Sequence, residues 1–481
     1  MEMKMYIGGL DIGTTGCKIT VYNEKGEFAA DTYREYNASR VNGEHEIDAA
    51  GILSAVFDCI EEISTVAKPE VLGVTSFGET FVMLDENDNV LLPSMLYTDP
   101  RGAEETDELC RKFGEDKLIE ITGTKPNAMY SFPKLMWIKR NKPDIYKKVK
   151  RILLMEDYII YSLTGNAVID YSLAARTMAF DIRKKCWAKE IFDAFAIDVK
   201  LMSEPVKTGN AAGRYKDIVI VNGAHDQVAS AVGAGVFEVG QAVDGTGTVE
   251  CVTPVFDQIP DNKTMYEKGY SVVPYVFDGT YVCYALSFTG GAVLKWFRDN
   301  FAEEKGKDAY AVLDRKISDS PTDILVMPHF AGAANPYMDI KSKAAVLGLT
   351  LENTCYDFYK ALMEGVTYEI MYNIETLGQL GINIGELFAT GGGAASDKWL
   401  GIKADILGRN ITALAAKEAG ACGTCMLAAV AAGAYENLYQ AKKYFVKERK
   451  TVKPDSGRSE IYKKNYEKYK KIYNAVRTIA E

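Results

Sequence analysis

At 481 residues the chain is too long for one hydrophobic core, which stops growing at about 250–300 residues, so two large domains with a cleft between them are expected. Hydrophobic residues at 47% and charged residues at 25% describe an ordinary soluble protein, and 56 basic against 66 acidic side chains leave a net charge of −10, which argues against nucleic acid as a partner. No run of about 18 apolar residues marks a membrane span, MEMKMYIGGLDIG has no secretory h-region, and nine scattered cysteines, an odd number, fit free thiols in a reducing cytoplasm.

The N-terminal IGGLDIGTTGCKITVYNEKGEF reads as strand, Gly/Thr turn, strand. GQAVDGTGTVECVTPV, near the middle, repeats that plan, so two copies of one domain design are expected. From Gly51 to Lys68, Ile52, Leu53, Val56, Phe57, Ile60 and Ile63 share one helical face, with Asp48 as N-cap. VLGVTSFG follows as a buried strand and turn, and FVMLDENDNVLL as a hairpin around DEND. Residues 133–141 and 144–164 are expected to be helical, the second stopped by Gly165. In the second half, Thr289, Gly290 and Gly291 open a helix, Thr354 to Leu380 forms a long helix stopped by Gly381, and LFATGGGAASDKWLGIKADILG reads as strand, glycine turn, helix. Cys422 and Cys425 sit in GACGTCMLAAVAAGA, a small-residue run that reads as a tightly packed helix rather than a zinc or redox pair. Tyr462, Tyr466, Tyr469 and Tyr473 recur at helical spacing as a packing face. The domain boundary is expected near Phe237 to Ala242.

Phosphoryl transfer needs backbone N–H groups and hydroxyls around phosphates, a Mg²⁺ among oxygen ligands, and an acceptor hydroxyl beside a base. Asp11-Ile12-Gly13-Thr14-Thr15-Gly16 offers a first phosphate turn, with Lys18 one strand step beyond as a point charge. Asp11, at a strand end, suits holding water on Mg²⁺. Asp244-Gly245-Thr246-Gly247-Thr248 offers a second turn, Gly291 a glycine at a helix start, and Gly391-Gly392-Gly393-Ala394 a surface over which an adenine ring passes close to backbone. No Walker A pattern is present.

The order of these turns, and the text around them, resembles the FGGY family of carbohydrate kinases from Leu10 to about Ala432. Met129-Tyr130-Ser131-Phe132-Pro133-Lys134-Leu135-Met136-Trp137-Ile138-Lys139-Arg140-Asn141 looks like the family's first signature. Ala344-Ala345-Val346-Leu347-Gly348-Leu349 followed by Asp357-Phe358-Tyr359-Lys360-Ala361-Leu362-Met363-Glu364-Gly365 looks like the second. MEDYIIYSLTG, DYSLAARTMAFD, NGAHDQVASAVGAG and GGGAASDKWLGIKADILGR are similar to family text. The resemblance implies an α/β chain of the two-domain RNase H-like, actin-like ATPase fold with its active site in the interdomain cleft. Residues 1–240 would carry the sugar site and first phosphate turn, and 241–481 the ATP site. It implies ATP and Mg²⁺ as cofactors and a small sugar (a ketose such as xylulose) or polyol as substrate. It also assigns the catalytic base to Asp226 of Gly223-Ala224-His225-Asp226, a residue that equally reads as a helix N-cap and that would share the Mg²⁺ with Asp11 through water.

At the substrate end, Ser76-Phe77-Gly78-Glu79-Thr80 keeps a Glu where glycerol kinases have an Arg-Glu pair, puts Gly78 at the Arg position, and lacks the Gln-Met-His run of xylulokinases. Gly78 is expected to leave room for a four- to six-carbon acceptor. Tyr97-Thr98-Asp99-Pro100-Arg101 is similar to the family's W-x-D-x-R, so Phe77, Gly78, Glu79, Tyr97, Asp99 and Asp226 form the expected substrate set, with Asp99–Arg101 alternatively a structural ion pair. Two other readings are a non-catalytic nucleotide-binding regulator of the same fold and an actin- or chaperone-like ATPase. Asp11, Asp226 and Thr246 weigh against the first, and the two signatures against the second. A homodimer is left open.

Overall fold

The computed structural model describes residues 5–260, 263–303, 305, 306, 308–416 and 418–480. The chain forms two units. The first comprises residues up to Gly235 with Ser271–Val282 and Ala419–Val446, and the second Val236–Tyr270, Cys283–Glu418 and the chain from Lys447 on.

The first unit is built on β1 (Tyr6–Ile12), β2 (Gly16–Asn23), β3 (Phe28–Glu35), α1 (Ala49–Ala67), β4 (Val71–Ser76), α2 (Ser131–Asn141), β5 (Ala211–Tyr215), β6 (Ile218–His225) and α3 (Asp226–Gly233). Its sheet runs β5-β6-β4-β1-β2-β3. β1, β4 and β6 are parallel and the remaining pairs antiparallel. β4 is buried at every position, as a central parallel strand must be. α1 begins at Asp48, whose side chain accepts from Ala50 N at 3.0 Å, and its Ile52, Val56, Ile60 and Ile63 join Leu10, Ile19, Val21 and Val74 in the core.

The second unit contains β7 (Gln241–Thr246), β8 (Glu250–Phe256), β9 (Ala285–Ser287), α4 (Gly291–Phe301), α5 (Cys355–Gln379), β10 (Glu386–Gly391), α6 (Asp397–Leu407) and β11 (Ile411–Leu414). After α7 (Ala419–Ala431), which belongs to the first unit, come β12 (Glu448–Val452) and α8 (Ser456–Tyr469). β12-β11-β10-β7-β8 runs in that order and β9 pairs with β8. β7, β10 and β11 are parallel, flanked by antiparallel neighbours. Strand for strand this is the order and direction of the first sheet, so the echo between the two Gly/Thr hairpins marks a repeated sheet plan.

α7 carries GACGTCMLAAVA, which sequence order alone groups with the second half. Its small residues let it lie against β1 and α3. A Cβ on Gly9 would meet Ala421 O at 2.6 Å, and one on Gly233 would meet Ala419 O at 1.9 Å. Cys422 and Cys425 are buried in this contact, and burial pushes the Cys422 thiol up to about 12, which removes thiolate chemistry.

The helix expected over 144–164 is three elements. A short turn of helix at Pro143–Tyr146 precedes a strand at Arg151–Leu154 and a helix at Met155–Thr164, stopped by Gly165 at φ +78°. The strand pairs with Phe81–Leu84, and Ile152, Leu153 and Leu154 are all buried. An apolar run of that length has no period to separate strand from buried helix. In the second unit α5 starts with a capping box between Thr354 and Asp357. Tyr462, Tyr466 and Tyr469 of α8 are packed as expected, and each phenol donates to a glutamate of α5, in turn Glu364, Glu375 and Glu369. No helix among the described residues is long and apolar enough to cross a membrane.

Candidate active site

In the first unit the β1–β2 turn is closed by Gly13 N donating to Gly16 O at 2.9 Å and braced by Tyr36, whose hydroxyl donates to Gly13 O at 2.7 Å. Thr14 and Thr15 stand at its tip, Thr15 exposed. Asp11 and Lys18 are directly opposite in the β1–β2 register. Lys18 Nζ lies 2.9 Å from Asp31 of β3, so its charge is directed along the sheet.

Asp226 is the first residue of α3, and the N-cap is His225, one residue earlier than the capping role that its sequence suggested for Asp226. Asp226 Oδ1 accepts from Gln227 N at 2.6 Å and lies 3.1 Å from His225 Nδ1. Burial, then the facing charge of Asp11 and, less, of Glu79, push the Asp226 carboxyl up to about 7. Its side chain keeps 37% of its surface accessible, so solvent moderates this push. Burial and the nearby Arg176 guanidinium hold His225 well below its ordinary value, hence neutral.

Glu79 follows β4 and is buried, so it is not a solvated loop residue. It occupies φ +64°, and Thr80 N donates to Gly78 O at 2.7 Å across it, which makes Glu79 the centre of a strained γ-turn. Ser131 of α2 donates to its carbonyl at 2.6 Å. Arg176 donates through Nε to Glu79 Oε1 at 2.6 Å and again through Nη2, while its guanidinium carbon stands 5.1 Å from the Tyr130 ring centroid. The room expected beside Gly78 is therefore taken. A Cβ there would meet His225 Cδ2 at 2.9 Å and Arg176 Cγ at 3.1 Å. The arginine missing from position 78 arrives instead from position 176.

Phe77 is buried beneath this turn. Tyr97 is 42% exposed, and Glu79 and Asp226 both act on its phenol, raising it after burial, which places its ring at the same acidic site. Asp99, expected in the substrate set, has its acceptors committed. Oδ1 takes Arg101 N and Nε at 2.9 and 2.8 Å, and Oδ2 takes Arg101 Nη2 and His45 N, both at 2.7 Å. The structural ion pair is what the geometry gives. Lys134 of α2, fully buried, ties this loop down by donating to Asp99 O at 2.7 Å and Ala128 O at 2.6 Å.

The second unit holds a cavity of about 860 Å³. Three glycine turns converge on it: Thr246-Gly247-Thr248 between β7 and β8, Gly291 opening α4, and Gly392-Gly393 after β10. Two of these approaches need glycine. A Cβ on Gly291 would lie 2.7 Å from Gly247 O, and one on Gly393 would lie 2.5 Å from Thr246 Cγ2. Trp296, Tyr310, Tyr359 and Trp399 supply apolar and aromatic wall, and Asp314 and Ser396 a polar corner joined at 2.6 Å. Gly245, within β7, is not part of the wall, nor is Ala394, whose carbonyl accepts from Arg449 at 2.8 Å.

Two family models match the chain: the N-terminal domain of the FGGY family of carbohydrate kinases over residues 6–233 and its C-terminal domain over 266–432. The chain belongs to the FGGY family of carbohydrate kinases. Among similar proteins, a xylulose kinase of Staphylococcus xylosus is 25% identical over 98% of this chain and 100% of its own length. A glycerol kinase of Streptococcus pyogenes serotype M4 is 29% identical over 91% of this chain and 90% of its own. The crystal structure of ligand-bound xylulose kinase from Lactobacillus acidophilus superimposes with a TM-score of 0.89 at 21% identity, covering 98% of each chain. This FGGY kinase thus has the actin-like ATPase fold. The resemblance left Arg176 and Tyr130 without roles, and the wall aromatics Trp296 and Tyr310 had no motif. Arg176 meets Glu79 across 97 residues of chain, beyond any local pattern.

Proposed function

We propose that the first unit holds the acceptor and the second the nucleotide in ATP-dependent phosphorylation of a hydroxyl of a small ketose, xylulose foremost, or polyol. The observation that carries this reading is Asp226 on the first turn of α3, facing Asp11 and Glu79 and raised to about 7, where a carboxylate is poised to accept a proton near neutral pH. Asp226 takes the proton of the acceptor hydroxyl as its oxygen bonds to the γ-phosphorus and the bond to the β,γ-bridging oxygen breaks, so the proton ends on Asp226 and the phosphoryl group on the sugar. Glu79 Oε1 is held by Arg176, and Oε2 lies outside that pair and suits an acceptor hydroxyl. Tyr97 would cover the acceptor.

The cavity of the second unit suits the nucleotide, with Thr246, Gly247, Thr248, Gly291, Gly392 and Gly393 toward phosphates and ribose and the aromatic wall toward the base. Gly13, Thr14 and Thr15 would meet a transferring phosphate. No cluster of three or more metal-ligating side chains occurs among the described residues. Mg²⁺ needs only one or two carboxylates beside water and phosphate oxygens, and Asp11 and Asp226, whose mutual repulsion a cation relieves, would hold its waters. Bound there, Mg²⁺ neutralises phosphate charge. The nine unbridged cysteines favour a reducing cytoplasm.

A second reading, a shorter polyol such as glycerol, is favoured by the Arg176–Glu79 pair, which restores a guanidinium beside Glu79 and fills the space at Gly78. A coupled ADP-release assay over xylulose, ribulose, fuculose, rhamnulose, erythritol and glycerol tests both. Acceptor-dependent ADP release that Asp226→Asn slows by about 10²–10⁴ supports the kinase reading, with the best acceptor naming the substrate. No acceptor dependence with any compound, or unchanged turnover in Asp226→Asn, contradicts it.

A further inference from the structure

Lys403 of α6 is buried to 1% exposure, and its ammonium donates to Asp244 and Thr246 and pairs ionically with Glu250. Nζ stands 2.5 Å from Asp244 Oδ2, 2.6 Å from Thr246 Oγ1 and 2.8 Å from Glu250 Oε1, all of them buried. Asp244 and Thr246 lie on one face of β7, two residues apart, and Glu250 is opposite Thr246 in the β7–β8 register. On its other side Thr246 packs against the turn after β10, opposite Gly391 in register and in contact range of Gly393. None of the motifs that carry the family resemblance gives this lysine a role.

We propose that Lys403 is a positioning residue for the nucleotide: it fixes the Thr246 hydroxyl as a donor toward phosphate. Lysine can only donate, so in the Lys403–Thr246 bond the threonine oxygen accepts and its own O–H is directed away from the lysine. Asp244 does not compete for that proton. It is turned to Lys403 through Oδ2 and forms no hydrogen bond with Thr246 among the described residues, while burial and then Asp244 push the Glu250 carboxyl up to about 8. Thr246 lines the cavity, so its proton is directed to whatever acceptor enters there, and a phosphate oxygen suits it. The network also ties α6 to the hairpin that carries Gly247 and Thr248. The inference rests on reading that cavity as the nucleotide site.

The test is a double-mutant cycle on kcat/KM for ATP at saturating acceptor. Lys403→Met combined with Asp244→Asn removes both buried charges and, with Glu250 protonated, leaves a neutral pocket. This pair is expected to lower kcat/KM for ATP by roughly tenfold, the loss of one hydrogen bond to a charged phosphate, and to leave the acceptor KM unchanged. Thr246→Ala alone is expected to cost about the same, and added to the pair less than about twofold more. Lys403→Arg, which keeps the charge but not the same point contacts, should show the same nucleotide defect with a cooperative melting transition, lowered by overpacking of about 1–3 kcal/mol, and it carries the test if the pair does not fold. Multiplicative effects of Lys403→Met/Asp244→Asn and Thr246→Ala, or unchanged ATP kinetics in Lys403→Arg where the pair does not fold, overturn the positioning role and leave the nucleotide site standing. If Thr246→Ala alone changes nothing, the reading of the cavity falls first, and the inference with it.

Discussion

Glu79→Gln separates what the Arg176–Glu79 pair does for the fold from what it does for the substrate. The two side chains are 6% and 5% exposed, so removing one charge leaves the other buried and uncompensated, at a cost of about 3–5 kcal/mol. At 2–4 °C per kcal/mol for a unit of this size, Tm should drop by roughly 6–20 °C. If Glu79 also accepts a hydrogen bond from the acceptor, exchanging a charged acceptor for a neutral one takes away about 1–2 kcal/mol, or roughly 5- to 30-fold in kcat/KM for the sugar or polyol, with KM for ATP unchanged. The double variant Glu79→Gln/Arg176→Met leaves no unpaired charge, so it should recover most of the lost Tm and none of the lost kcat/KM. Differential scanning calorimetry and initial rates on the same samples read both quantities. Activity that returns together with Tm in the double variant would refute the substrate contact and leave Glu79 a purely structural partner of Arg176.

Asp226→Asn should keep the fold and lower kcat by about 10²–10⁴, measured by ADP release, and near-wild-type turnover of a folded sample would remove it as the base. Glu156, Asp157 and Asp170 are fully buried carboxyls, all raised by burial, Asp157 to about 8. A carboxyl raised above its unfolded value gives stability that is complete below about pH 4 and is lost as pH climbs through about 8. Wild-type Tm should therefore fall from pH 6 to pH 9, and Asp157→Asn should flatten the slope; an equal slope in the variant would show that Asp157 titrates as an ordinary carboxylate. Gly233→Ala puts a Cβ 1.9 Å from Ala419 O, a backbone atom, so it should exceed the roughly 1–3 kcal/mol of ordinary overpacking, and a melting temperature equal to wild type would deny the α3–α7 approach.

The two Gly/Thr hairpins, α1 with its Asp48 cap, α5 with its stop and the glycine-opened α4 were legible because their signals are local: alternation, helical periodicity, capping residues and turn glycines; the hairpin expected around DEND is reduced to a single bridge, Leu84 to Val90, because Phe81–Leu84 pairs elsewhere. The strand at Arg151–Leu154 was not, because its partner Phe81–Leu84 lies far away in sequence and a short apolar run has no period of its own. α7 joined the first unit through contacts that a Cβ on Gly9 or Gly233 would forbid, and no sequence pattern says which surface a small-residue helix will meet. At the site, Asp226, Glu79 and the glycine turns could be pointed to from their text. The filling of Gly78's space by Arg176 and His225, and the commitment of Asp99 to Arg101, depend on side chains converging from different elements.

Product analysis tests the central claim most directly. The purified chain, incubated with Mg²⁺, ATP and its best acceptor, should yield ADP and the phosphorylated acceptor in equal amounts by mass spectrometry and phosphorus NMR, with both formed about 10²–10⁴ times more slowly by Asp226→Asn. ADP accompanied only by inorganic phosphate, at a rate indifferent to every sugar and polyol, would contradict the account and leave a nucleotide hydrolase in its place.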